Sequence, residues 1–522
     1  MSISYECKVI IESNLFGFDY DFLIIKRVFL DFISRNLYII IYSYGENALK
    51  KKIQGKYIYR GACELILTVA STFIFYIHWR NFIYIEYGLA HLSTVSNLWM
   101  SLIIYAILFV LVGKWLKAFK IGVERKTNII ASQFLTAAVV DVLEVFVSMA
   151  IAGRYTLFWQ FVRMYFLMFF LHMAVLILLV IPMIDWYRKL FPPLRVLEVN
   201  GDRNNDILLK MSSVPYKYQV EKVVQHDIDE EEMKKEIEQY DAVLIGDMPS
   251  EEKNRVLKLC FDMDKRVYFV PKISDVIVKS TEELNLFDTP LFLARNIGIR
   301  WWQQIVKRFF DIVLSLMALI LLSPVMLVTA LLIKLEDGGP VFYKQERCTI
   351  NSEKFMILKF RSMIVDAEKD GKPHPAGEND DRITKVGHVI RACRIDELPQ
   401  LINILKGEMS IIGPRPERVE HVEKYTKEIP EFTFRSKVKG GLSGMAQVYG
   451  KYNTTALDKL KLDLLYITNY SLLLDLQIMF ETVKILTQKE STEGFSEEKV
   501  AEMHDAAAGD AEAAENTVKT KN

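Results

Sequence analysis

The stretch KRFFDIVLSLMALILLSPVMLVTALLIK, residues 307–334, decides what kind of chain this is. After Lys307-Arg308 it runs apolar from Phe309 to Ile333, broken by charge only at Asp311. On length alone it would cross a hydrocarbon core of about 30 Å at about 1.5 Å per helical residue. A crossing would carry everything after Lys334 to the opposite side. Yet Lys334, Lys344, Arg347, Lys354, Lys359 and Arg361 make that side as basic as the one before it, against the bias of cations to the cytoplasmic face. The middle of the run is Ser323-Pro324. Proline removes a helical hydrogen bond and crowds the preceding turn, and serine can satisfy a freed carbonyl. The sequence therefore predicts a bent, re-entrant helix that returns to the cytoplasmic face, with a proline-kinked span as the alternative.

Upstream, four stretches are long and apolar enough to span, near Gly61 to Trp79, Val95 to Gly113, Ile129 to Ala152 and Phe161 to Ile184. Lys50, Lys51, Lys52, Lys56 and Arg60 precede the first. Lys114, Lys117, Lys120, Arg125 and Lys126 separate the second from the third, and Arg188, Lys189 and Arg195 follow the fourth. That distribution puts both chain ends in the cytoplasm. Glu64, Asp141 and Glu144 inside the spans either mark a transport path or face partner helices. Residues 22–42, interrupted by Lys26, Arg27, Asp31 and Arg35, suit a surface amphipathic helix, and no cleavable leader is apparent before them.

From Pro192 to about Arg295 short strands (Leu194 to Val199, Tyr216 to Val224, Ala242 to Ile245, Val267 to Val270) alternate with polar helices, a pattern for a small parallel α/β sheet. Gly201 follows the first strand without the second glycine of a dinucleotide fingerprint, so a structural, oligomerising or regulatory role is expected there. Beyond the apolar run, Gly338 to Arg347 and Phe355 to Met363 read as a strand pair carrying cations, with a polar loop from about Asp366 to Asp381. Tyr452 to Ile485 reads as interfacial helices or a soluble core pair, and the tail from Ser491 as disordered. Across 522 residues, 51% hydrophobic, 25% charged and of zero net charge, this describes membrane segments joined to soluble ones, and the charge balance argues against nucleic acid. The five cysteines show neither zinc nor disulfide spacing.

The chemistry concentrates between Arg391 and Pro416. Asp396 and Glu397 stand together, preceded by Arg391 and Arg394 and followed by Pro399, Gly407 and the turn Gly413-Pro414-Arg415-Pro416. Pro399 fits a helix's first turn and Gly407 its end, so a helix is expected from about Leu398 to Lys406 with the carboxylates at its start. Neighbouring residues there point in different directions, so one acid can attack while the other holds a metal. The plain alternative is a helix cap beside a solvated acid.

These motifs together resemble a known family. Lys307 to Gln488 is similar to the bacterial sugar transferase module of monotopic phosphoglycosyl transferases, through Lys307-Arg308-Phe309-Phe310-Asp311, Ser323-Pro324, Gly339-Pro340-Val341-Phe342, Lys359-Phe360-Arg361-Ser362-Met363, Asp396-Glu397-Leu398-Pro399-Gln400-Leu401 and Gly413-Pro414-Arg415-Pro416. The whole order resembles the polyprenyl-phosphate hexose-1-phosphate transferases. The resemblance implies a multidomain membrane protein: an N-terminal segment 1–56, a four-helix transmembrane bundle 57–190, a small Rossmann-like α/β domain 191–296, and an α+β transferase domain 300–490 with the Ser323-Pro324-bent re-entrant helix at 307–334, then a tail 491–522. It implies transfer of a sugar 1-phosphate from a UDP-sugar to undecaprenyl phosphate in the bacterial inner membrane, on its cytoplasmic face, releasing UMP as the first membrane step of exopolysaccharide or capsule synthesis. Asp396 would be the nucleophile, Glu397 would help hold Mg²⁺, and Arg391, Lys359, Arg361 and Arg415 would contact phosphates. A homo-oligomer is compatible with it. Three departures stand out: Thr349-Ile350-Asn351-Ser352 replaces glycines, Arg394-Ile395 replaces Ser-Leu before the acids, and Gly440-Gly441 replaces Pro-Gly. Two other readings stay open, a metal-dependent glycosyltransferase that releases UDP and a catalytically inert membrane scaffold.

Overall fold

The computed structural model describes residues 48–86, 95–153, 155–201, 207–294, 298–365, 367, 380–450 and 454–486. The amphipathic segment expected at 22–42, nearly all of the polar loop at 366–381 and the tail from 491 lie outside these. Two compact units follow one another, residues 1–268 and 269–522.

In the first unit four long helices pack on a shared core: α1 (Ala48–Arg80), α2 (Val95–Trp115), α3 (Lys126–Ala152) and α4 (Phe158–Leu190). Gly153, at φ 62°, ends α3 in the left-handed conformation that glycine takes without strain. Phe75, Tyr105, Phe109, Phe161 and Met168 fill the interior, and the Phe75 and Tyr105 rings stack with centroids 4.4 Å apart. Large apolar side chains also point outward, among them Leu111, Phe166 and Leu178. Helices apolar all round belong in a membrane. The polar atoms turn inward instead: His172 Nε2 lies 2.7 Å from Ser71 Oγ, and the Ser148 and Tyr165 hydroxyls are 2.6 Å apart. Glu64 is paired with Lys114 at 2.8 Å, whereas the Asp141 and Glu144 carboxylates are buried without a hydrogen-bond partner among the described residues.

After α4 the hydrophobic period changes to that of strands. β1 (Leu194–Asn200), β2 (Tyr218–Gln225), β3 (Ala242–Ile245) and β4 (Arg266–Phe269) form one sheet in the order β2-β1-β3-β4. β1 pairs in parallel with both β2 and β3, as the crossovers require. β1 and β3 are buried on both faces, and α5 (Glu230–Glu238) and α6 (Ser250–Asp262) cover one face through Met233, Ile237, Val256 and Cys260. Asp229 caps α5 by accepting from the Glu231 N–H.

The second unit opens with α7 (Ile273–Val278) and an exposed hairpin, β5 (Glu282–Leu286) and β6 (Thr289–Leu293), then enters α8 (Trp301–Asp337). With α1 to α4, α8 is the fifth helix among the described residues long and apolar enough to cross a membrane. Its burial is inverted relative to a soluble helix: Asp311, Ser315, Thr329 and Ile333 are buried, while Ile320, Leu321, Leu327 and Leu335 are exposed. Both ends of α8 are bonded to the same body. Before Pro324, Lys307 pairs with Asp475 at 2.6 Å, and Asp311 Oδ1 accepts from the Ile411 N–H at 2.9 Å. After it, Ile333 packs with Phe360 and Ile390, and Glu336 accepts from the Lys385 N–H at 2.8 Å. Pro324 has no N–H for the carbonyl four residues back, that of Ile320, and Ser323 Oγ donates to this same carbonyl at 2.8 Å.

That body is built on two small sheets. β7 (Phe342–Cys348) and β8 (Lys354–Phe360) are antiparallel, and β9 (Ser410–Ile412) and β10 (Gly441–Ser443) are parallel. Between them lie α9 (Lys385–Ala392) and α10 (Gln400–Lys406); α11 (Ala456–Thr468) and α12 (Leu472–Leu486) follow. α11 and α12 are core helices, placing Leu460, Leu464, Tyr466, Ile467 and Ile478 inside, although Leu473 and Val483 stay exposed. α7 belongs to this core as well, through Val276 against Phe432, Leu460 and Leu464.

Candidate active site

Asp396 and Glu397 occupy a 3₁₀ turn, Ile395–Glu397, entered through Arg394 at φ 56° and ψ 20°. A non-glycine residue in the left-handed region is strained, so packing around the turn must hold it there. The turn continues as Leu398 N–H donates to Ile395 at 3.1 Å and Leu401 N–H to Leu398 at 3.0 Å. α10 proper starts at Gln400, two residues later than expected, with Pro399 as its cap. Pro399 has no N–H to join the turn to the helix, while Leu398, at φ −56° and ψ −36°, keeps helical geometry, so the i to i+3 bonded turn leads directly into α10. The carboxylates thus precede the helix and do not form its first turn. Gly407, at φ 91°, ends α10 as its position suggested.

Buried polar side chains fix α10. Asn403 Oδ1 accepts from the Leu358 N–H at 3.0 Å, while its Nδ2 donates to Met356 O at 2.8 Å and Glu408 Oε2 at 2.6 Å, clamping α10 to β8. Arg308 of α8 donates to the carbonyls of Ile404 and Leu405 in the last turn of α10, where Ile404 also accepts from the Gly407 N–H at 3.0 Å. The re-entrant candidate and the carboxylate turn are therefore one mechanical piece.

The two carboxylates are treated differently. Glu397 Oε1 accepts from Lys359 Nζ and from Arg415 Nη2, each at 2.9 Å, and Arg394 Nη1 stands 3.8 Å from Oε2. Burial pushes Glu397 up, but Arg415 and Lys359 outweigh it and hold the carboxyl well below its ordinary range. Asp396 has no hydrogen-bond partner among the described residues, and burial raises its pKa, with Lys359 opposing and Glu397 reinforcing. Burial likewise lowers Lys359, whereas Glu397 raises Arg415. Such separation of neighbouring acids marks different roles.

Of the other residues singled out in the sequence, Arg391 lies in the last turn of α9, and its side chain has no hydrogen bond or ion pair among the described residues. Its charge still lowers Asp396 slightly. Arg361 is buried and pairs with Asp337 at the end of α8. Sequence reasoning missed a supporting pair. Arg435 binds Asp463 at 2.8 Å and donates to the Arg415 carbonyl at 2.8 Å, fixing the backbone that carries the clamp. No spacing pattern links residues so far apart in the chain. Where glycines were expected, Asn351 and Ser352 take positive φ, 52° and 61°.

A family model of bacterial sugar transferases matches residues 302–489. Over 210 residues the chain is 39% identical to the exopolysaccharide production protein ExoY of Sinorhizobium fredii, covering 37% of this chain and 92% of that protein. The chain belongs to the bacterial sugar transferase family. A second relative is the UDP-N-acetylgalactosamine-undecaprenyl-phosphate N-acetylgalactosaminephosphotransferase of Aeromonas hydrophila, 41% identical over 253 residues, 47% of this chain and 59% of that protein. A third is the UDP-glucose:undecaprenyl-phosphate glucose-1-phosphate transferase of Klebsiella pneumoniae, 41% identical over 244 residues, 44% of this chain and 50% of that protein. The chain thus spans about half of these two relatives. The matched part is the transferase body with α8, where Asp396, Glu397 and their clamp reside.

Proposed function

We propose that this sugar transferase moves a sugar 1-phosphate from a UDP-sugar to undecaprenyl phosphate through an aspartyl phosphosugar intermediate. The observation that carries the reading is the division of labour between the acids. Glu397 is ionised and immobilised by Lys359 and Arg415, while Asp396 beside it makes no hydrogen bond among the described residues. An Asp396 oxygen attacks the β-phosphorus of the donor. The bond from that phosphorus to the bridging oxygen breaks, and UMP leaves with the electron pair. A phosphate oxygen of the lipid then attacks the same phosphorus and returns Asp396 to a carboxylate. Arg391, which has no hydrogen bond or ion pair among the described residues, and Arg415 are suited to the phosphates; Arg361, paired with Asp337, supports α8.

Mg²⁺ fits Glu397: its Oε2 is a hard oxygen not taken by Lys359 or Arg415, which hold Oε1, and it would be one ligand of an ion whose other ligands are water and substrate phosphates. When bound, it would neutralise charge on the pyrophosphate.

The membrane reading follows from α8. A straight helix of 37 residues would be about 55 Å long. Bonding of both its ends to one body, the Ser323 repair of the Ile320 carbonyl at Pro324 and the apolar outer face all support a bent helix seated in the cytoplasmic leaflet of the inner membrane. A soluble nucleotide sugar and a lipid phosphate can meet at that headgroup plane. α1 to α4, with their basic connections, support a four-helix transmembrane bundle, with the parallel sheet as a separate Rossmann-like domain.

The test is to incubate the purified chain with UDP-sugar and Mg²⁺ without lipid acceptor and weigh it intact. A mass increase of one phosphosugar, absent in Asp396→Asn, is expected, with UMP as the nucleotide product. Release of UDP, or turnover retained by Asp396→Asn, would overturn the mechanism.

A further inference from the structure

The turn that delivers Arg415 to Glu397 is tied to the membrane helix. Asp311 is the one charge in the apolar run from Phe309 to Ile333, and it is only 5% exposed. An acid buried there is costly unless its oxygens are satisfied. Its Oδ1 accepts from the Ser410 hydroxyl at 3.1 Å and from the Ile411 N–H at 2.9 Å. Both donors belong to β9, which ends at Ile412, three residues before Arg415.

The chain between β9 and Arg415 has little room to yield. The Gly413 N–H donates to Ser443 O at 2.8 Å, and the Pro414 carbonyl accepts from the Gly441 N–H at 2.9 Å. A Cβ on Gly413 would stand 2.4 Å from Lys439 O, and one on Gly441 2.1 Å from the Gly413 nitrogen, so these glycines let two backbones touch. Pro414 and Pro416 fix φ on either side of Arg415. A shift of β9 is therefore passed to the guanidinium that holds Glu397.

We propose that Asp311 is a positioning residue for sugar-phosphate transfer, setting through β9 where Arg415 meets Glu397. This role rests on the transfer chemistry proposed above. The seat of α8 then reaches the acids by two routes, Arg308 on the last turn of α10 and Asp311 on β9.

A double-mutant cycle of Asp311→Ala and Arg415→Ala tests it, on the full chain in lipid nanodiscs with undecaprenyl phosphate, Mg²⁺ and the best donor among UDP-glucose, UDP-galactose and their N-acetylated forms. Asp311→Ala alone should lower kcat/KM for nucleotide release about tenfold, the low end of the cost of removing an outer support of a functional carboxylate. On the Arg415→Ala background the same change should cost little more, because the group it positions is gone. Asp311→Asn keeps an acceptor for Ser410 and Ile411 and should recover most of the loss. Val276→Ala, a truncation in a separate core cluster, should lower the thermal midpoint and combine additively with Arg415→Ala. Should Asp311→Ala fail to fold, Ser410→Ala removes one of the two bonds and is expected to show a smaller loss, again absent without Arg415. Equal losses with and without Arg415, or Asp311→Asn as slow as Asp311→Ala, would overturn the role. Failure of the parent to form a phosphosugar adduct would count against the aspartyl mechanism instead, and the cycle, read as nucleotide release, would still decide for Asp311.

Discussion

Two adjacent acids with opposite electrostatic fates define the site at the scale of single residues. A carboxylate attacks only when ionised, and Asp396 is displaced upward from 3.8 chiefly by burial. The acid limb of kcat/KM should therefore lie above the ordinary aspartate range, activity falling as pH drops through it. Glu397, displaced downward from 4.5, contributes no limb there. Its sign for stability is the reverse: its clamp stabilises the fold above the unfolded value and is lost only as pH falls towards the depressed folded one. A pH–rate profile resolves the first point, and an acid limb centred at or below 3.8 would contradict it. Arg415→Ala should lower kcat/KM by about 10- to 100-fold, the usual effect of removing a partner that orients a functional carboxylate, with the Asp396 adduct still detectable by mass. Ser352, at φ 61°, bears on stability alone. Ser352→Gly should raise the unfolding free energy by about 1 kcal/mol by relieving a left-handed residue, measurable in the thermal midpoint.

α8 shows at the scale of an element how one proline is tolerated and used. Pro324 strands the Ile320 carbonyl, Ser323 takes it up, and the helix can bend without leaving a polar atom facing lipid. Pro324→Ala would restore the backbone bond and remove a penalty of about 3 kcal/mol against a straight helix. A fraction of chains should then extend across the bilayer, exposing a cysteine placed at Gly338 to an impermeant thiol reagent added outside the cell. Labelling confined to the cytoplasmic side in both Pro324→Ala and the parent would leave the bend without a role. Much of this was legible beforehand because it rests on local rules. Apolar length, the Ser-Pro pair, Gly407 as a stop and strand alternation each depend on neighbours in sequence, and β1 to β4 fall within two residues of expectation. The start of α10 was missed because Leu398 and Pro399 belong to an i to i+3 bonded turn entered through the left-handed Arg394, which in sequence looks the same as a first helical turn. The Asn403 clamp, the Arg308 cap and the Arg435–Asp463 pair join distant segments, which no periodicity encodes.

At the scale of the whole molecule, the transferase body carries the acids, their clamp and both anchors of α8. ExoY is matched over 92% of its length by 210 residues of this chain, so in that relative the body stands nearly alone. The boundary matters, because α7 lies well before α8 yet buries Val276 against Phe432, Leu460 and Leu464. A shortened chain beginning at residue 269 should therefore fold and release UMP within about tenfold of the full protein's kcat/KM, roughly 1.4 kcal/mol in transition-state terms. One beginning at residue 298 loses the Val276 contact, worth about 1.5 to 3 kcal/mol for a fully buried aliphatic side chain, and should melt at lower temperature while keeping the same nucleotide product. Comparing both chains by thermal unfolding and UMP release separates the contributions. Loss of turnover in the longer one, despite an unchanged melting temperature, would mean that α1 to α4 and the parallel sheet take part in catalysis directly.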